Sequence, residues 1–364
     1  MNKIDTKEIL AITFFTCIAL YPGFGINSVL NTGNTTSLIT LIVAFIIGII
    51  PMFAIIYLNK KMKDKNIFEY NKEKFKMFGT IINIILVLIG IYILFINSWT
   101  FCNFVISQFL TRNSYYVLAT TYFLIVSYLV TKNINVICKT STVLLVFFFL
   151  IIIPVFGILF TKIDITNIKP LFTISSSSFI GTVIKALAFT STPIITLLAI
   201  KPTDLDDQKK FKKFVIIGYV LAGIILFIYT FLIITTYGIE FSKILDYPGY
   251  YLYKQVKALN FIDRIENFIV IVFFDSTFIN LTMTSFFINE FINTVFKIKK
   301  ENKKIIITYT FPLVISLISI YVFKHFYTYK ILDVFPIIAT IAIIIIIILA
   351  LLSKIKRDSK NTNS

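Results

Sequence analysis

The segment CIALYPGFGINSVL, residues 17–30, places one proline and two glycines inside an otherwise apolar stretch. The chain of 364 residues contains only 12 glycines and 9 prolines, so this concentration is unusual. Pro22 has no amide hydrogen and its ring clashes with the preceding helical turn. Gly23 and Gly25 adopt backbone angles that other residues resist. We therefore expect an apolar helix that is interrupted near Pro22.

The sequence around this segment has the composition of a membrane protein. It is 57% hydrophobic with a mean hydropathy of +0.88. Apolar runs of 18 or more residues recur, each long enough for a hydrocarbon core of about 30 Å, whereas the alternating pattern of a membrane β-barrel is absent. We predict ten spans, near 8–30, 36–58, 79–108, 114–131, 138–160, 178–200, 212–238, 264–296, 304–323 and 331–353. They form a single polytopic membrane domain over residues 1–360, with a short cytoplasmic tail at 354–364.

The basic residues are distributed unevenly between the two sides of these spans. The net charge is +17, and 25 of the 35 lysines and arginines fall on one side if the N-terminus is cytoplasmic. Nine fall on the other side, and Lys185 alone lies within a span. This is the positive-inside pattern, which predicts that both termini are cytoplasmic. The basic loops would face anionic lipids, and no nucleic-acid partner is expected.

A second interruption lies at the corresponding place in the second half of the chain. Spans one to five occupy about 8–160 and spans six to ten about 178–353, and spans one and six run in opposite directions. Span six carries AFTSTPII at 188–195, with Pro193 among hydroxyl residues. Paired interruptions in antiparallel halves are typical of transporters built from inverted repeats. We expect an all-α, five-plus-five inverted repeat in which helices one and six are broken.

The two interruptions suggest a binding site near the middle of the membrane. Unpaired main-chain groups are unfavourable in hydrocarbon unless a partner satisfies them. Amides at the half-helix that begins near Gly25 favour a carboxylate, and carbonyls near 188–192 favour an ammonium, so an amino-acid-like zwitterion fits. The candidate ligand-binding residues are Tyr21, Pro22, Gly23, Phe24, Gly25, Asn97, Trp99, Phe189, Thr190, Ser191 and Thr192. Alternatively, both interruptions are kinks repaired by waters and neighbouring hydroxyls.

Two charged residues are predicted inside spans, where ionisable groups are unfavourable and usually functional or paired. Asp275 lies near the middle of span eight, where it could couple a proton or hold a ligand amine. It could instead be a structural partner of Lys185 in span six. Lys185 could also extend its ammonium outward to the membrane surface.

The sequence offers no enzymatic constellation. His325 is the only histidine, and Cys17, Cys102 and Cys138 fall in or at the edge of separate spans without metal-ligand spacing. There is no glycine-rich phosphate loop and no nucleophile paired with a base. We expect no enzyme activity, no metal and no cofactor.

The stretch DYPGYYLYKQVKALNFIDRIE, residues 246–266, resembles a signature of the spore germination permease family. This family contains the B subunits of GerA-type nutrient germinant receptors and belongs to the amino acid–polyamine–organocation superfamily. The positions that carry the signature are Tyr247, Pro248, Leu252, Phe261, Arg264 and Glu266. Asp164, Asn167 and Pro170 are similar to the family's loop before span six. Two departures concern the span-six interruption, where relatives often carry an FPFGE-like sequence, and Asp275, where relatives are usually apolar.

The resemblance implies a LeuT-like fold and a role in sensing nutrients. The protein would lie in the inner spore membrane with an A subunit and a lipoprotein C subunit, and would bind a nutrient, typically an amino acid. A different hypothesis is a proton-coupled amino acid permease that acts alone, with Asp275 as the coupling group. A third is a membrane scaffold whose binding site is degenerate.

Overall fold

The computed structural model describes residues 3–110, 112–254, 266–298, 300–325 and 328–361. Within these ranges, eight helical segments are long and apolar enough to cross a membrane. The first, Thr6–Met62, has 57 residues and contains predicted spans one and two. The shorter apolar helix Tyr115–Thr131 corresponds to predicted span four. These segments confirm a multi-pass, all-α integral membrane protein.

The helix bounds follow the predicted spans closely. In chain order the helices are α1 Ile9–Ile18, α2 Ile26–Gly33, α3 Ser37–Met62, α4 Ile67–Gln108, α5 Tyr115–Thr131, α6 Ile134–Leu159, α7 Ser176–Ser191, α8 Gln208–Tyr237, α9 Ile239–Ile244, α10 Pro248–Lys254, α11 Glu266–Phe296, α12 Glu301–His325 and α13 Thr328–Asn361. A 3₁₀-helix, Thr192–Ala199, follows α7 directly.

Two helices extend beyond the predicted spans. α4 begins at Ile67 after a capping box formed by Asn66 and Glu69, and Lys76, with a φ of 51°, separates its first turns from predicted span three. α13 continues to Asn361, so most of the predicted tail at 354–364 is helical. Lysine and arginine are good helix formers, and neither glycine nor proline interrupts this stretch.

Span one lies in the interior of the bundle. α1 packs against α6, α8 and α11, and every residue of α1 except Leu10 is buried. A helix that is apolar all round is buried either in a membrane or inside a protein, and here other helices of the bundle surround it. Its interruption is therefore surrounded by protein.

Loops contact one another at two ends of the bundle. At one end, the amide of Ile4 donates to the carbonyl of Asp204 at 2.7 Å, so the N-terminal segment meets the loop after span six. At the other end, Thr36 Oγ1 donates to the carbonyl of Leu171 at 2.8 Å. Asn167 Nδ2 also donates there to the carbonyl of Thr235 at 2.9 Å. In these three cases the loops that meet are ones that the charge pattern assigns to the same side of the membrane.

Candidate functional site

Span one is interrupted where the sequence predicts it. α1 ends at Ile18, and residues Tyr21–Gly25 form a π-helical turn in which Gly23 has non-helical angles, φ −91° and ψ −121°. The amide of Ile26, the first residue of α2, donates to the carbonyl of Tyr21 across this turn. The chain therefore crosses the membrane as two half-helices joined by a wide turn.

The glycines in this turn are required by close approaches. A Cβ at Gly25 would lie 2.7 Å from the carbonyl oxygen of Leu20 and 3.0 Å from Cγ of Phe189. A Cβ at Gly23 would lie 2.5 Å from Cγ2 of Thr100. Any side chain at Gly25 would push the turn away from span six, so spans one and six touch directly here.

Span seven supplies hydroxyl groups to the interruption. Tyr229 Oη donates to the carbonyl of Pro22 at 3.3 Å, and the hydroxyls of Tyr21 and Thr230 lie 3.1 Å apart. The carbonyl of Pro22 at this break therefore already has a hydrogen-bond donor within the protein. This is what the alternative interpretation, a kink repaired by neighbouring hydroxyls, expects. Tyr229 and Thr230 are not among the residues predicted for the site, although two adjacent polar residues in an apolar span were a usable signal.

The interruption in span six has a different form from the one expected. The second half, Thr192–Ala199, is a 3₁₀-helix instead of an α-helix, and all eight of its residues are buried. Pro193 cannot donate a hydrogen bond to the preceding turn, and the chain tightens after it. Thr196 Oγ1 donates to the carbonyl of Pro193 at 2.9 Å within the tighter turns. Span six thus changes pitch without opening.

Most hydroxyls at this interruption already have partners. Thr190 Oγ1 donates to the carbonyl of Ala186 at 2.8 Å, and Ser191 Oγ lies 3.1 Å from Tyr219 Oη. Tyr219 Oη in turn donates to a carbonyl of α3 at 3.0 Å. Within the described chain, Thr192 Oγ1 is buried and has no hydrogen-bond partner. Of the four predicted residues 189–192, Thr192 is the one with a free polar atom.

Asn97 in α4 faces span one. Its Nδ2 donates to Asn280 Oδ1 at 2.9 Å, and Asn280 Nδ2 reaches the carbonyl of Thr16, shortly before the break, at 3.5 Å. Asn97 is fully buried, and among the described residues its Oδ1 has no partner. Asn97 therefore presents an unused acceptor next to the interrupted helix.

Trp99 does not line the break. It lies two residues after Asn97, about 200° around the helix. Its indole stacks between the rings of Tyr115 and Phe323, with centroids 5.4 Å and 5.3 Å away. The prediction placed Trp99 in the site because sequence proximity to Asn97 does not reveal which side of a helix a residue occupies.

Part of the family-like signature covers the outer side of the break. The ring centroids of Tyr247 and Phe24 lie 5.9 Å apart, and Asn103 Nδ2 donates to Tyr247 Oη at 2.8 Å. Phe261 and Arg264, two other signature positions, lie outside the described residues. Tyr247 thus connects the signature to the interrupted helix.

A cavity of about 60 Å³ lies beside the break. Its wall includes Ile18, Pro22, Phe104, Tyr229, Tyr247 and Ser276. Its described lining includes no residue of α7 or of the 3₁₀-helix after it. The expected hollow between the two breaks is therefore displaced to the other flank of span one, because Gly25 and Phe189 close the gap between spans one and six.

The two intramembrane charges lie apart. Lys185 Nζ lies 3.9 Å from Asp333 Oδ1 of α13, so its ionic partner is Asp333 instead of Asp275. Asp275 is 7% exposed, and in the described chain its Oδ2 has no hydrogen-bond partner. Asp275 precedes Asn280 by five residues, roughly 140° around α11, so it faces away from the side that meets span one.

Comparison with solved structures shows the class of fold. The chain is similar to a Na⁺-coupled sialic acid symporter in a substrate-bound outward-open state, with a TM-score of 0.67 and 14% sequence identity. The similarity covers 94% of this chain and 78% of the symporter. The fold is therefore that of an all-α membrane transporter.

Comparison with families and curated proteins completes the assignment. No curated protein matches the chain. A sequence model of the spore germination protein family, Spore_permease, matches residues 3–325, which is most of the chain and confirms the resemblance carried by the 246–266 stretch. The chain belongs to the spore germination protein family.

Proposed function

We propose that this protein is the nutrient-sensing, transporter-like subunit of a spore germination receptor, and that it binds an amino-acid-like ligand at the break in span one. One observation carries the proposal: Asn97 Oδ1 and Thr192 Oγ1, on two spans next to the break, are buried without a partner in the described chain. A buried unsatisfied polar group is destabilising by roughly 1–3 kcal/mol. A bound polar ligand would remove this penalty.

The chemistry of these atoms suits a zwitterion. Asn97 Oδ1 can only accept a hydrogen bond and so matches an ammonium group, whereas the Thr192 hydroxyl can donate to a carboxylate. The positive end of the α2 dipole, at Ile26, also favours a carboxylate. Together these three groups would supply both halves of the recognition.

Ligand binding would be transmitted as a change between arrangements of the bundle. Such a change requires different ligand affinities in the two arrangements. We propose that the receptor's A subunit and lipoprotein C subunit sense the change in the inner spore membrane, with both termini of this chain in the cytoplasm.

Gly25→Leu tests the location of the site. The leucine side chain would collide with Leu20 and Phe189, and we expect the variant to insert in membranes but to lose the germination response. Gly181→Leu in α7 is the matched control, because a Cβ there meets nothing within 4 Å. A normal response from Gly25→Leu would refute the site and favour the scaffold hypothesis.

Thr192→Val provides a test that does not depend on a disruptive substitution. The valine has nearly the same shape and removes an unpartnered hydroxyl, so we expect the ligand-free protein to become slightly more stable. We expect ligand affinity to fall about tenfold, equivalent to one lost hydrogen bond to a charged group. Thermal unfolding of the purified protein, with and without ligand, measures both effects. Lower stability with unchanged affinity would contradict the proposal.

A proton-coupled amino acid permease that acts alone is the second candidate. The observation that favours it is Asp275, which is buried while its Oδ2 lacks a partner in the described chain. Concentrative uptake of labelled amino acids into proteoliposomes that contain only this chain would support it. In that case Asp275→Asn should flatten the pH dependence of uptake. An unchanged pH profile would leave Asp275 as a structural residue.

A further inference from the structure

A large cavity lies at the end of the bundle where Ile4 meets Asp204. Its volume is about 750 Å³, against about 60 Å³ for the cavity beside Pro22. Its wall is formed by the N-terminal segment, the turn between α5 and α6, the loop after span six, and parts of α11 and α12, and it combines polar with apolar groups. The distribution of basic residues predicts that this end of the bundle faces the cytoplasm.

Two segments give this cavity a basic corner. Lys3 of the N-terminal segment and Lys132 of the turn between α5 and α6 both line it, and none of the lining residues in these two segments is acidic. Asn135 Nδ2 donates to the carbonyl of Lys3 at 3.2 Å, so the two segments are in contact. Lys132 Nζ lies 4.6 Å from the centroid of the Tyr128 ring, but neither lysine has an ion-pair partner within the described chain. An anion in this corner would relieve the repulsion between the two ammonium groups.

The N-terminus of α6 adds a further positive element to the same corner. This helix has 26 residues, and its N-cap, Asn133, makes no side-chain hydrogen bond to the first turn. Asn133 and Ile134 both line the cavity. First-turn amides without a capping side chain, together with the positive end of the helix dipole, favour a bound anion.

Another part of the wall contains a buried donor that lacks an acceptor. Asn289 of α11 is only 7% exposed, and its Oδ1 accepts from Thr308 Oγ1 at 3.1 Å. Within the described chain no hydrogen bond from its Nδ2 is formed, although Asn289 lines the cavity. Lys304, one turn before Thr308 in α12, lines the same part of the wall. This amide is independent of the basic corner, and it also favours a ligand with acceptor oxygens.

The acidic residues of the wall are compensated by other protein groups. Glu290 Oε2 accepts from Asn66 Nδ2 at 3.0 Å. Glu301 lies in the first turn of α12, where the helix dipole balances its charge. Burial raises the pKa of the Asp204 carboxyl, which disfavours its negative charge. These three carboxyl groups therefore do not neutralise the basic corner.

We propose that this cavity binds a phosphate-bearing anion, held by Lys3, Lys132 and the N-terminus of α6, with Asn289 Nδ2 as an additional donor. A phosphate group carries more than one negative charge and several acceptor oxygens, so it matches a set of lysine and amide donors. At roughly 30 Å³ for each heavy atom, an anion of the size of pyrophosphate fits with room for water. The bound anion would hold the N-terminal segment, which leads into span one, against the start of α6. This inference does not depend on the proposed function.

Thermal unfolding of the full-length protein in nanodiscs of a neutral phospholipid tests the site. We expect pyrophosphate to raise the Tm above its value in chloride at equal ionic strength, because the anion binds only the folded protein. Lys3→Gln combined with Lys132→Gln should weaken the Kd about a hundredfold, about tenfold for each lost charged hydrogen bond. Asn289→Asp keeps an acceptor for Thr308 Oγ1 but adds a negative charge, so it should abolish binding.

The matched control changes the same number of charges at the same end of the bundle. Lys60 and Lys209 are exposed and do not line the cavity. We expect Lys60→Gln combined with Lys209→Gln to keep the wild-type Kd for pyrophosphate. An equal loss of affinity in this control would show that the anion only screens a basic surface, and it would overturn the proposal.

Nanodiscs that contain phosphatidylglycerol distinguish two sources of the phosphate group. Stabilisation by pyrophosphate in neutral nanodiscs identifies a soluble anion. Stabilisation that appears only with phosphatidylglycerol, and is lost when Lys3 and Lys132 are both replaced, identifies a lipid headgroup. The proposal is overturned if neither compound raises the Tm, or if Asn289→Asp binds the anion as tightly as the wild type does.

Discussion

The two interrupted spans carry similar sequence signals but have different structures. At Tyr21–Gly25, two glycines allow a wide turn, and a cavity lies beside Pro22. At Thr192–Ala199, a proline among hydroxyl residues gives a continuous 3₁₀-helix that is buried throughout. A proline alone therefore changes the pitch of a membrane helix, whereas glycines beside it let the helix open. Apart from the unpartnered Thr192 hydroxyl, we expect the second interruption to contribute to stability and the first interruption to contribute to ligand binding.

The largest expected effect is a loss of stability on overpacking the second interruption. Gly48 of α3 lies so close to span six that a Cβ would collide with Tyr219 Oη and Ser191 Oγ. We expect Gly48→Val to destabilise the protein by about 3 kcal/mol, at the upper end for overpacked cores. Thermal unfolding in detergent measures this. Gly157→Val in α6, where a Cβ meets nothing within 4 Å, is the control. Equal stability of both variants would show that span six is loosely packed.

A smaller effect is expected when each interruption loses the tyrosine hydroxyl that supports it. Tyr219→Phe removes the group that bonds to Ser191 and Phe45, and Tyr229→Phe removes the donor to the carbonyl of Pro22. We expect each substitution to lower the free energy of unfolding by about 1 kcal/mol. Only Tyr229→Phe should change ligand binding. It should increase the thermal stabilisation by ligand, because a bound ammonium can replace the lost donor at Pro22.

The same measurements can contradict the distinction between the two interruptions. If Tyr219→Phe alters ligand affinity as much as Tyr229→Phe does, the contribution of the second interruption extends beyond Thr192 to the Ser191–Tyr219 pair. If neither substitution changes ligand affinity, the carbonyl of Pro22 belongs to a kink that is repaired within the protein, and it does not contact the ligand.

The smallest effect is expected from the ion pair near the outer part of span six. Lys185 and Asp333 are 3.9 Å apart, and the carboxylate side chain is 67% exposed. Because exposed pairs contribute about 0–1 kcal/mol, Lys185→Met should change stability by about 0.5 kcal/mol or less. It should leave the ligand response intact. Thermal unfolding of the wild type and the variant at low and high salt measures the contribution of the ion pair. A lost ligand response in Lys185→Met would show that Lys185 contributes to ligand binding.

Local chemistry explains what was predictable about the fold. Long apolar runs fixed the positions of the spans, because a bilayer requires about 20 apolar residues for each helix. Pro22 and the two glycines that follow it located the first interruption. The missing amide hydrogen of proline and the missing Cβ of glycine act on the neighbouring turn independently of the tertiary contacts around it. The 246–266 stretch pointed to the family that the comparison with residues 3–325 then confirmed.

The candidate site was less predictable, because it depends on contacts between distant residues. Asn97 and Trp99 are two positions apart, yet one faces span one and the other stacks with Tyr115 and Phe323. Tyr229 could be recognised as a polar residue in an apolar span, but its partner, the carbonyl of Pro22, is 207 residues away. Helix rotation decides such cases, and a single sequence does not specify it for helices that are apolar all round.

The sequence by itself determined a polytopic helical membrane protein, the uneven distribution of its basic residues among the loops and the place where its first helix breaks. These depend on hydrocarbon thickness, on charge and on backbone chemistry within one or two turns. Only the tertiary structure decided that span six tightens instead of opening, that Lys185 meets Asp333, and that the cavity lies on the flank of span one away from span six. Each of these follows from how closely packed helices approach one another, above all where Gly25 lets span one touch Phe189.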